Sequence, residues 1–172
     1  MKEMKSKSPR IDPAEENAFF PSDYSLSEFT SPVTDLSDYE YPEHYQGNKK
    51  VLVIAADERY LLTDNGSLFS TGNHPVETLV PMYHMRAAGF DFEIATLSGN
   101  MAKFEFWAMP SQDKLIMPFY ERYRDAFRNP RKLADISVGL TAQSDYAAIF
   151  IPGGHGALIA LSESQAVAET LR

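Results

Sequence analysis

The sequence predicts an α/β protein built on a doubly wound parallel sheet. Three observations carry this: the apolar run Val51-Leu52-Val53-Ile54-Ala55-Ala56, the helical pattern that opens at Pro75, and the run Phe92-Glu93-Ile94-Ala95-Thr96-Leu97 directly after it. A strand buried on both faces reads as an unbroken apolar run, and strand, helix and strand with short joints form the parallel crossover unit. With 172 residues, 44% of them hydrophobic and 12% aromatic, the chain is long enough to bury one core.

Residues 1–48 carry Pro9, Pro13, Pro21, Pro32 and Pro42 and no sustained helical or strand period, which predicts an extended arm. Its aromatic residues, Phe19, Phe20, Tyr24 and Phe29 among them, give it area to pack over its own domain or a second subunit. Residues 49–172 form the α/β core domain. Within it, Val76, Leu79, Val80 and Tyr83 recur at helical spacing and Gly89 sits at the position of a left-handed cap, so a helix spans 75–88. An inserted lobe covers about 100–145, with the aromatic stretch Phe104-Glu105-Phe106-Trp107, a helix over about 112–128, and Asn129 and Pro130 opening a further short helix. The third core strand is Tyr146-Ala147-Ala148-Ile149-Phe150-Ile151, which runs into Pro152-Gly153-Gly154-His155-Gly156. That glycine-rich exit points to a site at the carboxyl edge of the sheet. Ser162 and Gln165 have capping-box spacing, and Val167 and Leu171 begin a buried stripe with no stop signal before Arg172. The chain is therefore expected to end inside a helix, with the carboxyl-terminal part of the core missing.

A formal charge of −8 argues against nucleic acid or an anionic membrane as a stable partner. No stretch approaches the roughly 20 apolar residues of a bilayer span, and the mixed charges of the first residues resemble neither a signal peptide nor an anchor, so a soluble cytoplasmic protein is expected. The chain holds no cysteine, which excludes disulfides, thiolate ligands and thiol nucleophiles from its own chemistry.

The candidate site residues each admit two readings. Glu77, in the first turn of the helix after Pro75, is either a carboxylate favouring the positive helix end or an acid in an active-site cleft. The backbone N–H groups of Gly153 and Gly154 either form a tight turn or face a developing oxyanion. His155 reads as structural or exposed. Asp57 and Glu58 read as solvated loop charges, and His74, His84 and Asp91 lack the spacing of a zinc site.

Five runs carry a resemblance to a known family: Ala14-Glu15-Glu16-Asn17-Ala18-Phe19-Phe20-Pro21-Ser22, Val53-Ile54-Ala55-Ala56-Asp57-Glu58-Arg59-Tyr60, Phe69-Ser70-Thr71-Gly72-Asn73-His74-Pro75, Phe106-Trp107-Ala108-Met109-Pro110 and Ile151-Pro152-Gly153-Gly154-His155-Gly156. In these the chain resembles the heat-inducible chaperone, glyoxalase III and protein deglycase branch of the ThiJ/PfpI superfamily. The resemblance implies a flavodoxin-like core with a small extra lobe, an amino-terminal arm that packs in a homodimer, conversion of methylglyoxal to lactate without a cofactor, and holding of unfolded client proteins. It also implies a cysteine at a strand-to-helix elbow, which falls past Arg172, with Glu77 as the glutamate that touches the thiol and Gly153 and Gly154 in the oxyanion-type loop. Some members build a metal site from two histidines and a glutamate. Arg86, Asp91 and Tyr123 stand at those positions here; a guanidinium only donates and ligates no metal, so no metal is expected and Arg86 reads as a surface ion pair with Asp91. Three readings follow: an enzyme fragment lacking its nucleophile, a holding chaperone, and a product that aggregates through an exposed sheet edge.

Overall fold

Strand pairing in the computed structural model, which describes residues 5–141 and 143–172, forms two four-stranded sheets. In chain order the elements are β1 (Arg10–Ile11), β2 (Ala18–Phe20), α1 (Asp23–Phe29), β3 (Lys50–Ile54), β4 (Tyr60–Leu62), β5 (Leu68–Ser70), α2 (Pro75–Ala87), β6 (Phe92–Thr96), α3 (Ile116–Arg128), β7 (Arg131–Lys132), α4 (Leu133–Ser137), β8 (Tyr146–Phe150) and α5 (Gln165–Thr170). Short 3₁₀ turns lie at Phe106–Ala108 and His155–Leu158.

The central sheet has the order β7-β6-β3-β8, and every pair in it is parallel. Alternation along β3 divides the core in two. Val51 and Val53 pack with Leu79 and Met82 of α2 and with Phe119, Tyr123 and Phe127 of α3. Leu52 and Ile54 face the other way, onto Leu133 and Ile136 of α4 and Val167 of α5. Helices therefore cover both faces of the parallel sheet, the flavodoxin-like α/β class read from the sequence.

Several boundaries differ from the sequence expectation, each for a local reason. Helix α3 starts at Ile116 rather than near 112, because the Asp113 carboxylate accepts the Leu115 and Ile116 N–H groups and fixes a turn ahead of the helix. Asn129 and Pro130 do not open a helix: Arg131 and Lys132 first pair with Ala95 and Thr96 as an edge strand, and α4 begins at Leu133. The cap of α5 is Ser164, not Ser162, its hydroxyl accepting from Val167 N–H. Leu171 is exposed, and the buried residues of α5 are Val167 and Thr170.

The second sheet, in the order β1-β2-β5-β4, is absent from the sequence reading. Strands β4 and β5 form an antiparallel hairpin, and the arm adds β2 to it in parallel, Ala18 opposite Leu68 and Phe19 opposite Phe69. The segment before residue 49 thus contributes two strands and a helix rather than extended chain alone. Helix α1 is capped by Ser22, whose hydroxyl accepts from Ser25 N–H.

Candidate active site

The carboxyl ends of β3 and β8 meet the amino terminus of α2. Asn73, almost fully buried, ties these parts together. Its side-chain oxygen accepts Ala56 N–H at 2.9 Å, and its amide donates to the carbonyls of Ala56 at 2.9 Å and Lys103 at 2.6 Å. The segment after β8 is stitched to the same loop: His74 N–H donates to Gly153 O, and Gly156 N–H donates to Gly72 O, both at 2.9 Å.

Helix α2 has His74 as its cap, with Nδ1 accepting Glu77 N–H at 3.4 Å, and Pro75 at its first position. Glu77 therefore sits in the first turn, where a carboxylate also favours the positive helix end. Its Oε2 lies where a β-carbon on Gly153 would stand, so glycine is needed for that approach. Gly154 has φ 111°, a backbone region that side chains rarely adopt, and a β-carbon there would run into the backbone of His74. The structure thus brings together Glu77, Gly153 and Gly154, three residues singled out in the sequence.

Sequence reasoning missed Glu105. This carboxylate is completely buried, and its Oε1 accepts the Thr71 hydroxyl at 2.7 Å and His155 N–H at 3.1 Å, with His155 Nδ1 at 2.8 Å. Its Oε2 has no hydrogen-bond partner among the described residues. The available signal was a lone carboxylate inside Phe104-Glu105-Phe106-Trp107, since a charge within an aromatic run is buried only when it has partners. Asp57 is also not the solvated charge expected. It is buried, and its Oδ2 accepts both the N–H and the hydroxyl of Ser98, while Glu58 is exposed.

The family metal positions do come together, without a metal-ligand set. Tyr123 donates its hydroxyl to Asp91 Oδ1 at 2.9 Å, while Arg86 donates to the Phe90 carbonyl at 3.3 Å instead of forming the expected direct ion pair with Asp91. Burial works against the Asp91 charge. The Phe92 N–H, the Tyr123 hydroxyl and the Arg86 and Arg122 cations outweigh it and hold the carboxyl below its ordinary range. Burial, followed by the hydrogen bond to Asp91 and its charge, pushes the Tyr123 hydroxyl up to about 12. A protonated phenol already donating to the one carboxylate, beside a guanidinium, does not fit a divalent metal. Among the described residues no group of three or more His, Cys, Asp or Glu side chains is placed to hold one.

No protein-family model matches the chain. It is 66% identical over 168 residues to the protein/nucleic acid deglycase HchA of Escherichia coli O8 (strain IAI1), covering 98% of this chain and 59% of that protein. The HchA of Escherichia coli O1:K1 / APEC is 65% identical over the same shares. The chain thus spans about three-fifths of the length of these relatives. Among solved structures, glyoxalase III of Candida albicans matches with a TM-score of 0.54 at 21% identity, over 72% of this chain and 51% of that one. The rapid encystment protein of Francisella tularensis matches with a TM-score of 0.56 at 17% identity, over 72% of this chain and 52% of that one. These two support the fold alone. The match to the HchA proteins covers 98% of this chain, the Glu77–Gly153 site included, and over that stretch the chain is similar to the HchA-type branch of the ThiJ/PfpI superfamily.

Proposed function

We propose that the chain carries the acid and oxyanion-loop portion of a glutathione-independent glyoxalase III and deglycase site. The observation that carries the reading is the Glu77 carboxylate against Gly153, on a loop fixed by the His74–Gly153 and Gly156–Gly72 hydrogen bonds. In the proposed chemistry a thiolate adds to the aldehyde carbon of methylglyoxal, a proton moves between the two adjacent carbons, and water releases lactate. Backbone N–H groups at Gly153 and Gly154 stabilise the oxygen that becomes charged, and Glu77 contacts the thiol. The 172 residues contain no cysteine, so the thiol of this reaction is not among them. The domain division that goes with this reading is an arm over 1–48 and a core over 49–172, with a lobe at about 100–145. The protein is cytoplasmic and homodimeric in this reading.

The test joins the chain to the segment of the Escherichia coli O8 relative that lies beyond the match, and follows methylglyoxal loss. The 172-residue chain alone should be inactive and the joined protein active. In the joined protein, Glu77→Gln should lower kcat/KM by about 10²-fold, the scale of a lost acid–base group. Turnover by the 172-residue chain alone would overturn the assignment of the chemistry to a thiol.

A second reading, a holding chaperone for unfolded clients, draws on the large apolar side chains at the surface. Phe29 is 77% exposed, Ile11 75% and Val138 89%. Such side chains match the partly unfolded chains that a holdase retains. Suppression of the aggregation of a heated client by the 172-residue chain, weakened by Phe29→Ser, is the expected result.

A further inference from the structure

Between the arm, the β4–β5 hairpin and the Trp107 turn lies a cavity of about 870 Å³. Its walls are apolar, formed by Phe19, Phe20, Leu26, Phe29, Phe69 and Trp107. Set into them are three basic side chains, Lys7, His74 and His155, and one carboxylate, Glu105. Glu77 and Gly153 do not line it. In a chain with a formal charge of −8, a cavity with this balance departs from the rest of the molecule.

The hydrogen bonds determine what each polar group offers. A carboxylate only accepts, so the His155 nitrogen 2.8 Å from Glu105 Oε1, Nδ1, carries a hydrogen, and the free ring position is Nε2. Phe69 holds the ring edge-on, with 5.1 Å between ring centroids. Glu105 itself is buried behind this contact, with no exposed surface, whereas the His155 side chain is 53% exposed. The cavity therefore meets an imidazole rather than a carboxylate. His74 is fixed in the opposite sense. Its Nδ1 accepts Glu77 N–H, so in the neutral ring Nε2 carries the hydrogen and donates. Lys7 adds an ammonium, which stands 4.7 Å from the centre of the Tyr24 ring. The neutral His155 ring therefore offers an acceptor at Nε2, and the cavity combines aromatic walls with the His74 donor and the Lys7 ammonium, while the Glu105 carboxylate is turned into the protein.

We propose that this cavity binds a small amphipathic monoanion, an aromatic or alkyl carboxylate, with its apolar body against Phe19, Phe69 and Trp107 and its carboxylate against the His74 Nε2–H and the Lys7 ammonium. Apolar walls with a few convergent polar groups are the usual composition of a small-molecule site, and the volume lies within the usual range. The donors select an anion over a cation of the same shape. The proposal does not depend on the thiol chemistry above, although His74 and His155 adjoin the loop that carries Gly153 and Gly154.

The experiment titrates the 172-residue chain with phenylbutyrate and, separately, with phenylbutylamine, following amide, indole and imidazole NMR signals. Phenylbutyrate should move the Trp107 indole and the His74 ring signals in a saturable way, and the amine should bind at least about tenfold more weakly. Lys7→Met should weaken phenylbutyrate binding by about fivefold or more. Ser67→Trp fills the cavity from a side chain that makes no hydrogen bond of its own, and should abolish binding in a chain whose remaining spectrum is unchanged. The comparison of the two probes on the unmodified chain stands even where a variant fails to fold. Equal or tighter binding of the amine, no saturation by either probe up to about 10 mM, or shifts confined to other regions would overturn the proposal. So would cavity signals that move with protein concentration alone, since a second copy of the chain would then be the occupant.

Discussion

Glu77 Oε2 occupies the space that a β-carbon on Gly153 would need, while the β-carbon of a residue at 154 would enter the backbone of His74. The two adjacent glycines are therefore required for different reasons. Gly153→Ala meets the far end of an exposed side chain that can swing aside, so it should cost less than about 1 kcal/mol and displace Glu77. Gly154→Ala must adopt φ 111° against a backbone neighbour and should cost about 1–3 kcal/mol. Urea unfolding of the two variants measures the difference, and equal costs would refute this account of the loop.

Asn73→Ala should be among the most damaging polar substitutions. It leaves Ala56 N–H and the Ala56 and Lys103 carbonyls without their side-chain partner in a buried place. Each carbonyl keeps a backbone donor, Lys103 N–H on Ala56 and Asn73 N–H on Lys103, so the cost is that of the unpaired Ala56 N–H, about 1–3 kcal/mol by chemical denaturation.

Asp113 links the arm to the lobe and should make that link sensitive to acid. Burial raises its affinity for a proton, but N–H donors from Ile116, Thr34 and Leu115 and the Thr34 hydroxyl together lower the carboxyl to about 2. The unfolded chain titrates near pH 3.9, so the stabilisation, about 1–2 kcal/mol, is present above about pH 4 and is lost as pH falls through about 2. Asp113→Asn should flatten the stability profile across that window. An unchanged acid limb would show that the charge contributes nothing.

The Tyr123–Asp91 bond should behave in the opposite direction. With the hydroxyl raised to about 12, its contribution is complete below about pH 10, where a free tyrosine titrates, and is lost as pH rises through about 12. Tyr123→Phe should cost about 0.5–1.5 kcal/mol at neutral pH and remove the alkaline step. Zinc should leave the Tm of the unmodified chain unchanged, whereas the combined Arg86→His, Asp91→Glu and Tyr123→His variant should gain a zinc-dependent increase.

The sequence made the central sheet legible because its inner strand β3 is buried on both faces and leaves the unbroken apolar run Val51-Leu52-Val53-Ile54, while β8 keeps an apolar run although it is partly exposed. The β4–β5 hairpin was less visible, its strands being three residues each and half exposed, although Asn65-Gly66 marks its turn and Gly66 has φ 80°. The pairing of β2 with β5 left no local trace, since it joins positions far apart in the chain. Glu77, Gly153 and Gly154 were legible as a group only through the resemblance. Glu105 was hidden because its partners, Thr71 and His155, lie 34 and 50 residues away.

The register of β2 against β5 also orders events in time. Ala18 leaves the ribosome some fifty residues before Leu68, its partner, and at about 5–20 residues per second that is an interval of several seconds. Through that interval Phe19 and Phe20 have only the two-residue strand β1 to pair with, and closing so long a loop to β5 is slow compared with forming the hairpin. The arm is therefore the last part to join the hairpin, and the nascent chain carries an aromatic strand with one open edge until the hairpin that receives it has emerged.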